Sequence, residues 1–157
     1  MTNAFIVGSK RTAFGSFGGK LSNITAAQLG GYAAKAALAQ LPANTPVSST
    51  VFGVVAHTDH TAPYTSRHVG HYAGLPINVP ALTINRLCGS GFQAVINAIH
   101  EIKVGDSDVV LTGGTENMSM SPYTLHGVRF GNTRYGVDLK LVDSSVSYTH
   151  LTLPTTP

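Results

Sequence analysis

The sequence predicts an α/β fold built in layers on a mainly parallel sheet. Three observations carry this. Short apolar runs at Val51 to Val55, Ala81 to Asn85 and Asp108 to Thr112 alternate with segments of helical character, the order that βαβ units produce. Hydrophobic residues make up 43% of the 157 residues and charged ones only 11%, which argues against disorder and for an extensive buried core or a large subunit interface. Seventeen glycines supply tight turns and close backbone approaches.

Taken in order, Ala4 to Val7 reads as a short buried strand ended by Gly8, and a glycine-rich loop then runs to Asn23. Thr25 followed by Gln28 fits a capping box and opens a helix to about Leu41, before Pro42. Its residues Leu29, Tyr32, Ala33, Ala36 and Ala37 share one face, thin enough to pack closely on a sheet. Thr65 to about Ala73 is a short helix stopped by Gly74 and Pro76. Ser90 to Val104 is a longer one that ends at Gly105.

From Met118 the periodicity is lost, and Pro122, Gly127, Gly131 and Gly136 mark an inserted loop region instead of another βα unit. The chain divides into residues 1–117, 118–144 and a tail, 145–157, that sustains neither helix nor strand period. From Val146 the tail reads as the translation of a transposon-end sequencing adaptor: gtc tct tat aca cat ctg acg ctg ccg acg encodes Val146 to Thr155. It is therefore set aside from the fold as a probable non-native tail, against the alternative of a natural polar one.

Composition narrows the function classes. Ten basic residues against seven acidic ones give a formal charge of +3, scattered without a run of like charge, so no nucleic-acid or membrane patch is indicated. One cysteine excludes an internal disulfide framework and a multi-cysteine zinc site. No stretch approaches the ~18 consecutive apolar residues of a membrane span. The first residues carry neither a signal-peptide nor a transit pattern, so a reducing, cytoplasmic setting is expected.

The chemistry concentrates at Cys88. A strand ends near Asn85 and a helix begins near Ser90, so Cys88 occupies the turn where the helix presents its unpaired N–H groups. Those groups and the positive end of the helix dipole favour a thiolate, the form that attacks acyl carbonyls. Gly89 and Gly91 leave room for an acyl group, and the Cys88 N–H could face an oxyanion. The plainer alternative is a buried cysteine acting as a small hydrophobe. A rival reading takes Gly89-Ser-Gly91-Phe-Gln-Ala94 as a dinucleotide fingerprint. However, three residues separate the strand from its first glycine, and the next strand ends in Thr112-Gly113 where an acidic ribose ligand is expected.

Other candidates are weaker. Gly19-Lys20 lacks the first glycine and the Ser/Thr of a P-loop. His57, Asp59, His60, His68 and His71 are metal-ligand types at short spacing, but without a fixed ligand pattern they read as polar loop and helix-face residues, and no metal is assigned. His100 lies about three turns along the helix after Cys88, too far by helix rise to act as its base.

The chain resembles the N-terminal part of the thiolases, acetyl-CoA C-acyltransferases, and most of all the 3-ketoacyl-CoA thiolases. The resemblance covers about Ala4 to Ser144. It rests on Arg11-Thr-Ala-Phe-Gly-Ser-Phe-Gly-Gly, Arg67-His-Val-Gly, Asn85-Arg-Leu-Cys-Gly-Ser-Gly-Phe-Gln, Gly113-Gly-Thr-Glu-Asn-Met-Ser119 and Pro122-Tyr123, in register. It implies a thiolase-like layered α-β-α-β-α fold made of two similar halves, of which this chain would supply most of the first, with 118–144 the start of a loop domain over coenzyme A. It implies that Cys88 carries the acyl group as a thioester in thiolytic cleavage of 3-ketoacyl-CoA, and that the reverse is a Claisen condensation. Coenzyme A and acyl-CoA would be substrates, with no permanently bound cofactor. The complete protein would be a homodimer or homotetramer with contacts through the strand before the nucleophile, without a membrane span or nucleic-acid partner.

The family's activating His, its second Cys and its Asn-containing motif have no counterpart here, so the chain alone is expected to be inactive. His57-Thr-Asp-His60 also departs from the family's usual Gln/Gly-containing segment. A biosynthetic acetoacetyl-CoA thiolase and a free-standing binding module are the alternatives. The ketoacyl synthases share the fold, but the segment around Cys88 favours a thiolase.

Overall fold

The structure, a computed structural model, describes residues 3–131 and 139–145. The tail from Val146 lies outside the described residues.

Helix α1 (Ala26–Leu38) starts at the predicted capping box: Thr25 accepts the Gln28 N–H, and the Gln28 side chain accepts the Thr25 N–H. Strand β1 (Ser49–Gly53), helix α2 (Thr65–Ala73), strand β2 (Ala81–Ile84), helix α3 (Ser90–Val104) and strand β3 (Val110–Gly114) follow. Single 3-10 turns stand at Ala62–Tyr64 and Met118–Met120. Gly74 and Gly105 end α2 and α3 with φ of 89° and 85°, left-handed values that glycine adopts without steric penalty.

The sheet is parallel, in the order β2-β1-β3. Because β2 and β3 flank β1 on opposite sides, right-handed crossovers put α2 and α3 on opposite faces. Strand alternation agrees. Thr50 and Phe52 face α2, where the Ser66 hydroxyl meets that of Thr50 at 3.1 Å, whereas Gly53 faces Ser90 of α3. The core on the α2 side joins Phe52 and Leu111 to Val69 and Ala73 of α2 and Ala34 of α1. Three layers result: α1 with α2, the sheet, and α3.

Two expectations need correction. Residues 4–7 form no strand, and Phe5, Ile6 and Val7 are 77%, 82% and 65% exposed. An apolar run becomes a strand only with a neighbour to take its hydrogen bonds, and among the described residues this one has none. Helix α1 buries Ala26, Ala27, Gly30, Gly31 and Ala34, not the Leu29-Tyr32-Ala36 face, and its close partner is α2 rather than the sheet. A Cβ on Gly31 would overlap the Tyr72 Cβ and one on Gly30 would stand 2.8 Å from Val69 Cγ2, so backbone proximity, not side-chain size, selected this face. In the region after Met118, β4 (Tyr123–Leu125) and β5 (Leu141–Asp143) pair antiparallel, and no further βα unit stands there among the described residues.

Helix α3 buries only Ser90, Ala94 and Ala98, leaving Phe92 and Ile96 exposed. A helix apolar on more than one face belongs inside a larger assembly of layers.

Candidate active site

The turn between β2 and α3 is held by its own side chains. Asn85 Oδ1 accepts the Leu87 N–H at 2.9 Å. Ser90 Oγ accepts the Arg86 N–H at 2.8 Å and donates to the Leu87 carbonyl at 2.6 Å, which the Ser90 N–H also reaches at 2.9 Å. Gly89 N–H closes on the Arg86 carbonyl at 3.1 Å. Within this network Leu87 has φ of 49°, a left-handed conformation that costs a non-glycine residue about 1–3 kcal/mol and persists only where the surroundings enforce it.

Cys88 follows at once and is exposed. Among the described residues it is not packed as a small buried hydrophobe. Gly89, the N-cap of α3, has no side chain to satisfy the first-turn N–H groups. An exposed thiol at the start of a helix can attack a carbonyl carbon, and N–H groups of a helix's first turn can hold the oxygen that becomes negative.

Glycines bring α3 onto the carboxyl ends of the strands. A Cβ on Gly53 would stand 2.5 Å from the Ser90 carbonyl carbon, and one on Gly114 would stand 3.0 Å from Gly91 Cα. Gly91, predicted to clear a path to the sulfur, instead lies against β3, whereas Gly89 is open apart from the Arg86 carbonyl at 3.4 Å. Ala94, the last residue of the rival dinucleotide fingerprint, is fully buried as a packing residue.

The motif from Gly113 to Ser119 fastens the loops around this edge. Glu116 accepts the N–H groups of Val55 and Ala56 at 2.8 and 3.2 Å. Asn117, buried, donates from Nδ2 to the carbonyls of Leu21, Ser22 and Ile24. Ser119 Oγ accepts the Gly18 N–H at 2.9 Å, and Thr115 donates to the Ala26 carbonyl. Arg67 similarly clamps the carbonyls of Ile77 and Val79. The sequence displayed these residues as motifs, but their role as fasteners depends on loops that only the fold brings together.

His68 and His71 lie on α2, across the sheet from α3, and His57 and His60 lie in the loop after β1. Among the described residues no set of three His, Cys, Asp or Glu side chains is arranged to hold a metal ion. Asp59 shows one electrostatic effect in this loop. Partial burial pushes its carboxyl up, but hydrogen bonds from the Thr61 hydroxyl and N–H, with His60 and His68 nearby, outweigh this and hold it below the ordinary value of 3.8.

An exposed thiol on a strand-to-helix turn, at the carboxyl edge of a layered parallel sheet, defines the class as a layered α/β protein. The chain belongs to the thiolase family, since residues 4–149 match the thiolase N-terminal domain. It is 48% identical to the mitochondrial 3-ketoacyl-CoA thiolase of Homo sapiens over 98% of this chain and 40% of that protein. It is 44% identical to the acetyl-CoA acetyltransferase of Cupriavidus necator over 93% of this chain and 37% of that protein.

Two solved structures of the human mitochondrial 3-ketoacyl-CoA thiolase match it. One has a TM-score of 0.85 at 49% identity, covering 96% of this chain and 39% of that one. The other, in complex with CoA, has a TM-score of 0.82 at 50% identity, covering 90% and 36%. The chain thus spans about 40% of the length of these relatives. The resemblance read from the motifs and the layered α/β fold is borne out. Among the described residues no helix is long and apolar enough to cross a membrane.

Proposed function

We propose that Cys88 is the acyl-carrying nucleophile of a 3-ketoacyl-CoA thiolase. The carrying observation is its exposed place on the turn before α3, in a chain 48% identical to a 3-ketoacyl-CoA thiolase. The thiolate bonds to the 3-keto carbon, and the bond between carbons 2 and 3 breaks. The electron pair left on carbon 2 takes a proton, giving acetyl-CoA. The thiol of a second coenzyme A then displaces Cys88 from the shortened acyl group, and Cys88 recovers its proton. In this reading N–H groups in the first turn of α3 steady the oxyanion, and residues outside this chain supply the acid and base.

Coenzyme A and acyl-CoA are then substrates, and no cofactor is permanently bound. Residues 1–117 form a half-domain and 118–144 begin a loop domain. We assign the complete protein to a homodimer or homotetramer, a state supported by the edge of β2 and the face of α3 that the described residues leave uncovered. We place it in the cytoplasm, on the unpaired thiol of this chain.

The second reading, biosynthetic condensation of two acetyl-CoA molecules, is favoured by the likeness to an acetyl-CoA acetyltransferase. Steady-state thiolysis by the full-length gene product, on acetoacetyl-CoA and longer 3-ketoacyl-CoA substrates, separates the two. Higher kcat/KM on the longer chains supports the proposal, and activity confined to acetoacetyl-CoA supports the second reading. Absence of thiolysis on both would refute both.

A further inference from the structure

We infer that Ser90 and Asn85 are positioning residues for Cys88, jointly locking Leu87 in its left-handed conformation so that the thiol keeps one place before α3. The inference rests on the reading of Cys88 as nucleophile. A leucine does not adopt φ of 49° unaided, because its Cβ crowds the backbone. The residue is therefore held from both sides. Asn85 Oδ1 takes its N–H at 2.9 Å, and the Ser90 hydroxyl and N–H take its carbonyl at 2.6 and 2.9 Å.

Ser90 makes a second bond with the same oxygen, accepting the Arg86 N–H at 2.8 Å. Its hydroxyl thus donates once and accepts once within the turn, on a residue only 4% exposed and seated over Gly53. Asn85 Nδ2 reaches the Val55 carbonyl at 3.4 Å, tying the turn to the end of β1. Relaxation of Leu87 to an ordinary φ would rotate the next Cα–Cβ bond and move the sulfur away from the α3 N–H groups. Neither residue needs to touch substrate for this, so both act through Cys88.

The test measures acylation of Cys88 by acetyl-CoA in the full-length gene product, by rapid quench and intact mass. In that step the Cys88 sulfur bonds to the acetyl carbon as the carbon–sulfur bond to coenzyme A breaks, and the departing thiolate takes up the proton that Cys88 gives up. Ser90→Ala and Asn85→Ala should each slow acylation by about 10- to 100-fold at an unchanged half-saturating concentration, while Ser90→Thr, which keeps the hydroxyl, stays within about threefold of the unaltered protein. Alkylation of Cys88 by iodoacetamide, which needs no oriented substrate, should change far less.

Acylation at the unaltered rate in both alanine variants would overturn the inference. So would a loss seen only as weaker acetyl-CoA binding, or one equal for iodoacetamide. Asn85 is exposed, so Asn85→Ala carries the test should Ser90→Ala fail to fold. Absence of any adduct at Cys88 in the unaltered protein is a different result: it sinks the nucleophile reading itself, and the positioning role with it.

Discussion

Gly53, the last residue of β1, lies directly beneath Ser90, the first residue of α3, so closely that a Cβ on Gly53 would stand 2.5 Å from the Ser90 carbonyl carbon. The obstacle is backbone, which cannot rotate aside. Gly53→Ala is predicted to destabilise the protein by about 1–3 kcal/mol, as overpacking does. Gly91→Ala serves as the contrast, because its Cβ would meet Gly114 Cα at an ordinary 3.8 Å. That variant should be neutral or stabilising by up to about 1 kcal/mol. Urea unfolding of both variants checks the pair, and equal losses would contradict the account.

Asn117 should be the most sensitive polar residue of its motif. Asn117→Ala removes the donor shared by three carbonyls and is expected to cost about 1–3 kcal/mol. Asn117→Asp should cost more, since a carboxylate would face the same oxygens with no proton to offer. Limited proteolysis should then cut within residues 13–24 faster than in the unaltered protein.

Asp59 gives a prediction in pH. Its folded-state carboxyl lies below the ordinary value, so folding favours the ionised form. The stability this contributes is complete above the unfolded carboxylate value near about 4, and is lost as pH falls through the lower folded value. Thr61→Val removes the hydroxyl donor. It should lower the melting temperature at pH 6, with the difference shrinking as pH falls below about 4. A difference that widens in acid would reverse the assigned sign.

Much of this was legible beforehand where local chemistry decides. Helix α2 ends where Gly74 requires, the capping box opens α1, and α3 lies between Ser90 and Gly105 as read. The place of Cys88 on the intervening turn followed from those boundaries. What failed depended on partners distant in sequence. Ala4 to Val7 has strand composition, but composition does not supply a neighbouring edge. The buried face of α1 escaped notice because Gly30 and Gly31 score as weakly apolar, yet they are what admits Val69 and Tyr72. Ser90 and Asn85 stood in the motif as boundary residues, and no periodicity encodes that both grip Leu87.

The most direct test of the central claim is intact-mass analysis of the full-length gene product after incubation with an acyl-CoA. The account predicts a single acyl adduct that peptide mapping places on Cys88 and that Cys88→Ser abolishes. An adduct that survives in Cys88→Ser, or maps to another residue, would contradict it.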